Sequence, residues 1–235
     1  MINGISTEQD KNRKYLLCII SALALHILSM YFVSLLQNIV YMRYPSYIYM
    51  LSKFILRWFY LAVPICFMKA EKIKLEDIGI TKNKLFMQVI VGVLIGIVEV
   101  VVIVGLTVLL GFKKQLGSPL YEDGWQYIVY FFYTIFAVGL FEEIFFRGYI
   151  YKKLSDIIKS ECFVITLSSL IFGACHFVGN GNFIQDVPQV LLATISGIFY
   201  CVLREKIKSC TLISLIFMHG IYDFGIAFST FILAE

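Results

Sequence analysis

Charge is scarce in this chain. Asp, Glu, Lys and Arg make up 15% of its 235 residues, whereas a globular domain carries about 25%. The longest polar connection is the segment from Met68 to Lys84, too short for a soluble domain. There is no internal repeat and no low-complexity tract, so a solenoid or a disordered tail is excluded. Short alternating segments, the mark of a membrane β-barrel, are also missing. None of the six cysteines forms a CxxC pair, and buried free thiols behave as small hydrophobes. The HExxH spacing of the commonest zinc proteases does not occur. The net charge of +4 is too small for a nucleic-acid surface, and no nucleic-acid partner is expected.

Apolar residues fill the space that charge leaves. They make up 60% of the chain and come in runs of about twenty, the length a helix needs to cross a hydrocarbon core. The pattern predicts an all-α, polytopic transmembrane helical bundle over 1–235, a single domain. About seven spans are expected, with an eighth as the upper count. They lie near 15–40, 46–68, 85–111, 125–151, 161–179, 187–203 and 210–232. The polar stretch Met1–Lys14 precedes a run too long for a cleavable signal. With the N-terminus cytoplasmic, fifteen of the twenty basic residues fall on the inner side and three outside (Arg43, Lys113 and Lys114). That asymmetry obeys the positive-inside rule.

An ionisable group inside the membrane costs about 2.5–3.5 kcal/mol on insertion scales, so each one calls for a reason. They cluster in three places. In "GLFEEIFFRGYIY", Glu143 and Arg147 are four apart on one helical face and are expected to pair. Glu142 points about 100° away and is left to face a cavity. In "LIFGACHFVGNGN", Phe172 and His176 share a face, and in "IFMHGIYDFG" His219 and Asp223 do. The first and third sets alone read equally well as structural staples, and His176 alone reads more readily as a packing residue. Together they bring polar groups from three helices to the middle of the bilayer, which suggests one water-filled site. Lys53, Arg57 and Glu99 lie at similar depths in the second and third spans and are expected to form a structural ion pair. His26 has no partner that the sequence names.

Two glutamates, two histidines and an aspartate suit hydrolysis. A carboxylate takes a proton from water, a histidine relays it, and a second histidine steadies the oxyanion. No serine or cysteine is partnered with this set. No cofactor is expected; zinc is the alternative, with Glu142, His176 and His219 as candidate ligands.

"EEIFFR", "FGACH" and "HGIYD" fit EExxxR, FxxxH and HxxxN/D. Their order on successive apolar regions resembles the CPBP intramembrane proteases (the CAAX protease and bacteriocin-processing, or Abi, family), which include the Ras-converting CAAX endopeptidase. The resemblance covers about residues 125–234. It implies an intramembrane endopeptidase, historically classed with the metalloendopeptidases. Its substrate would be a membrane-associated or lipid-anchored protein or peptide. In a bacterial plasma membrane that means peptide or bacteriocin maturation, or self-immunity. By the resemblance, Glu142 and His176 activate water, and His219 and Asp223 stabilise the oxyanion. Glu143, Arg147 and Phe172 support them. Many members carry Asn where this chain has Asp223. The alternative is a non-catalytic scaffold or bacteriocin-immunity protein of the same fold.

Overall fold

A computed structural model describes residues 8–177 and 183–233. The described residues form helices and connecting turns without a strand. The helices are α1 (Glu8–Arg43), α2 (Ser46–Leu56), α3 (Phe59–Glu71), α4 (Leu85–Leu109), α5 (Gly124–Tyr133), α6 (Leu140–Glu142), α7 (Tyr151–Ser155), α8 (Glu161–Ala174), α9 (Phe183–Lys206) and α10 (Leu212–Ile232). Two wider π-helical segments, Thr134–Gly139 and Glu143–Ile150, join α5, α6 and α7 into one helical rod from Gly124 to Ser155. Six helical stretches among the described residues are long and apolar enough to cross a membrane.

The fifth expected span, 161–179, is shorter than its apolar pattern suggests. Helix α8 ends at Ala174, and its 14 residues reach only about 21 Å. The backbone then tightens, with His176 N–H donating to Gly173 O and Phe177 N–H to Ala174 O. Such three-residue bonds close a helix end. Residues 178 and 179 lie outside the described residues. The second expected span, 46–68, is present but broken at Arg57–Trp58. Pro64 lies inside α3 and denies Tyr60 O its usual i+4 donor. Upstream, Trp58, Tyr60 and Leu61 donate to carbonyls three residues back.

The chain packs as two compact units, Met1–Ile78 with Ile144–Leu203, and Gly79–Glu143 with Arg204–Glu235. The units interleave in sequence, so no linker marks their boundary. In the first unit α1 packs on α2 and α3, and α7 packs on α8. His26 is buried there, its ring stacked on Phe145 at 4.3 Å between centroids and edge-on to Tyr60 and Phe146. Helices α8 and α9 also meet closely, because Gly173 lies against Thr194 and Gly197 against Ser169.

In the second unit α10 lies along α4 and crosses the π-helical segment at 134–139. Glycines permit this approach. A Cβ on Gly96 would come 2.8 Å from Met218 O, one on Gly139 2.5 Å from Ile216 O, and one on Gly220 2.6 Å from Ile135 Cα. Small residues let helix backbones close to van der Waals range where lipid provides no hydrophobic drive between them. The start of α10 is fixed by a capping box between Thr211 and Ser214. Gln88 of α4 extends it, accepting from Thr211 Oγ1–H at 2.5 Å, while Ser214 Oγ–H donates to Gln88 O at 2.8 Å.

Candidate active site

Both glutamates of the first motif belong to the second unit, and both meet one imidazole there. His219 Nδ1 is 2.7 Å from Glu143 Oε1. On the other side of the ring, Nε2 is 3.6 Å from Asp223 Oδ2 and 3.9 Å from Glu142 Oε2. The first distance is a hydrogen bond; the other two are longer than one. An ionised Glu143 only accepts, so the proton of that bond is on Nδ1.

Local helix geometry explains the convergence. In an α-helix adjacent residues diverge by about 100°, which would send one glutamate away from His219. Here Glu142 ends the short α6 and Glu143 begins a π-helical segment. A π turn carries an extra residue, so each residue turns through a smaller angle. π segments are rare, and they cluster at functional sites. On α10 ordinary helical spacing puts Asp223 one turn beyond His219.

The cluster is graded in exposure. The Glu143 side chain is 0% exposed, His219 9%, Glu142 13% and Asp223 29%. The Nδ1 side is therefore sealed, and the accessible edge of the imidazole is the Nε2 side, flanked by Glu142 and Asp223. A buried carboxylate on one ring nitrogen holds the tautomer and the ring plane, as in other His–carboxylate pairs.

The remaining motif residues lie in the first unit and form a chain of their own. The Arg147 guanidinium lies 3.8 Å over the Phe172 ring and 5.3 Å from that of Tyr200. Arg147 is buried, so this cation–π contact is desolvated and of the stronger kind. His176, in the turn after α8, has Nδ1 2.9 Å from Phe172 O and its ring edge-on to Phe172. Phe172 thus carries Arg147 on its face and holds His176 by its carbonyl. Of the other intramembrane charges, Lys53 lies over Tyr49 and Arg57 over Tyr60 in the first unit, while Glu99 is in α4 of the second.

Sequence reasoning missed the bond between Glu143 and His219. A four-residue spacing to Arg147 is visible in the sequence; a partner 76 residues away is not. It also missed the role of Gly139 and Gly220, which bring the two motif-bearing helices together. Gly220 directly follows His219, and that is the one signal that could have flagged it.

Residues 124–225 match a family described as Rce1-like, type II CAAX prenyl endopeptidase. The matched segment covers 102 of the 235 residues. It starts with α5 and ends two residues beyond Asp223, so it contains every residue of the three motifs. Neither a curated protein nor a solved structure matches the chain. The matching family is one of endopeptidases, and six long apolar helices among the described residues support an integral membrane protein. Among the described residues no three His, Cys, Asp or Glu side chains are gathered as a metal ion requires.

Proposed function

We propose that the protein is an intramembrane endopeptidase that hydrolyses a peptide bond in a membrane-associated or lipid-anchored protein or peptide. The observation that carries this reading is the clustering of Glu142, Glu143 and Asp223 around the two nitrogens of His219, within a segment of an endopeptidase family. Glu142 is the general base. It is the more accessible of the two glutamates, and its carboxylate lies 3.9 Å from His219 Nε2, whereas that of Glu143 is sealed against Nδ1. His176 assists at the water.

Glu142 takes a proton from water as the water oxygen attacks the carbonyl carbon. The carbonyl π electrons move to oxygen, and the resulting oxyanion is met by Nε2–H of His219. Because Nδ1–H is held by Glu143, donation from Nε2 requires the doubly protonated ring. Asp223, beside Nε2, orients that edge. Collapse of the intermediate restores the carbonyl and breaks the C–N bond. The leaving nitrogen takes the proton from Glu142, which returns to its carboxylate form. By the family's description the substrate class is a prenylated CAAX terminus. In a bacterial plasma membrane, where CAAX prenylation is not expected, it is a peptide precursor, and the role is maturation or self-immunity.

The test is cleavage of a quenched peptide with a prenylated CAAX terminus, and of a non-prenylated membrane peptide, by the purified protein in nanodiscs. Glu142→Gln and His176→Ala should each lose activity by two orders of magnitude or more. Wild-type activity from both variants would overturn the reading and leave a binding or scaffold protein. Reversible loss on chelation would overturn the metal-free step.

A further inference from the structure

The first unit contains a cavity that the proposed chemistry does not use. Its volume is about 680 Å³, and it opens at the start of α1 and the ends of α3 and α7. Lys14, Lys72, Lys152 and Lys153 line it, with Phe67 and Ile73 on the apolar side.

The floor is a built polar network. Lys153 is buried. Its ammonium is paired with Glu71 and lies 3.6 Å over the Tyr15 ring. Glu71 also accepts from Tyr149 O–H at 2.6 Å. Two other acidic residues of the lining are engaged as well. Asp156 pairs with Lys152 at 2.5 Å, and Asp77 accepts from the Lys74 backbone N–H at 2.8 Å. Two of the three carboxylates of the lining are thus ion-paired, and the third is hydrogen-bonded to backbone. Among the described residues Lys14 and Lys72 form no ion pair, and both are exposed at the rim. Lys72 is held there by a left-handed backbone, φ 58°, that ends α3. The lining thus carries four lysines against three carboxylates, with Lys14 and Lys72 at the rim outside its two ion pairs and an apolar wall alongside.

Depth adds a second constraint. Helix α1 has 36 residues, about 54 Å, and overshoots a hydrocarbon core of about 30 Å. Its first turns, which carry Lys14, therefore extend to the level of lipid headgroups. A cation pair beside apolar wall at that level fits a phosphate joined to an acyl chain.

We infer that this cavity binds the phosphate of an anionic membrane lipid, with Lys14 and Lys72 as its ligands and the Phe67–Ile73 wall against the lipid's apolar part. The inference is independent of the peptidase reading, since none of these residues belongs to the His219 cluster.

The test uses the full-length protein in nanodiscs of phosphatidylcholine with or without phosphatidylglycerol. Native mass spectrometry reads retained lipid. Wild type should retain phosphatidylglycerol in preference to phosphatidylcholine. Each lysine near an anionic surface is worth about a fivefold factor, so the double variant Lys14→Gln/Lys72→Gln should weaken retention about 25-fold. A charge-matched control, Lys159→Gln/Lys208→Gln, should retain it as wild type does. Equal loss in both double variants would overturn the site in favour of general electrostatics, and unchanged retention in the cavity variant would overturn it outright. A third arm titrates inorganic phosphate into lipid-neutral discs. Binding there as tight as that of the lipid would mean a free-anion site and overturn the lipid assignment.

Discussion

Replacing Gly96 by Ala is a sharp probe of how this protein positions its histidine. Gly96 and Gly105 are both on α4, and both are glycines in a helix interior. A Cβ at Gly96 would come 2.8 Å from Met218 O and 2.9 Å from Ile221 Cβ; at Gly105 nothing lies within 4 Å. In Gly105→Ala only the backbone term acts, and the helix gains about 0.5–1 kcal/mol. In Gly96→Ala the same gain is opposed by overpacking against a carbonyl that cannot rotate away, a cost of about 1–3 kcal/mol. Relief requires α10 to move off α4 by about 0.6 Å, from 2.8 Å to the 3.4 Å where ordinary contact begins. Met218 precedes His219, so the imidazole moves with it. The 2.7 Å bond to Glu143 would stretch toward the edge of hydrogen-bond range. Thermal unfolding in detergent should therefore split the two variants. Gly105→Ala should rise by about 1–4 °C and Gly96→Ala should fall, by up to about 10 °C. Cleavage by Gly96→Ala should drop by up to about 100-fold, the usual penalty of a displacement near 1 Å. Equal melting temperatures, or full activity in Gly96→Ala, would refute the account of α4 as the element that sets His219.

Three further outcomes are expected. Glu143→Gln keeps an acceptor for Nδ1–H but removes its charge. Losing the charge-assisted part of that bond costs about 1–2 kcal/mol, so kcat/KM should fall about 5- to 30-fold with KM little changed; a loss as deep as that of Glu142→Gln would make Glu143 the base instead. Asp223→Asn should keep activity within a few-fold, since the amide still reaches Nε2; complete loss would remove Asp223 from the oxyanion side. Cys210 lies in the turn between α9 and α10, and burial pushes its thiol up to about 11. At pH 8 only about 0.1% is thiolate, so its alkylation should quicken about tenfold per pH unit up to pH 10; a plateau below pH 9 would contradict that burial.

The sequence by itself determined the class of protein, because transfer of apolar runs into lipid depends on composition and length, both local properties. It also carried the motif residues, since paired charges within a membrane helix are costly wherever the helix packs. What it could not decide is which polar groups meet. A four-residue spacing is readable as a pair when both residues share one helix, as with His219 and Asp223. The bond from Glu143 to His219 joins residues 76 apart and depends on a π-helical register that no hydropathy pattern encodes. The length of α8 belongs to the same category: its apolar run extends past Ala174, but the turn at Cys175 and His176 ends the helix there. Tertiary packing alone decided how near α10 comes to α4 and to the π segment, because that distance is set by the Cβ atoms missing from Gly96, Gly139 and Gly220. Composition brought the glutamates and the histidine into the membrane; close backbone approach brought them to one imidazole.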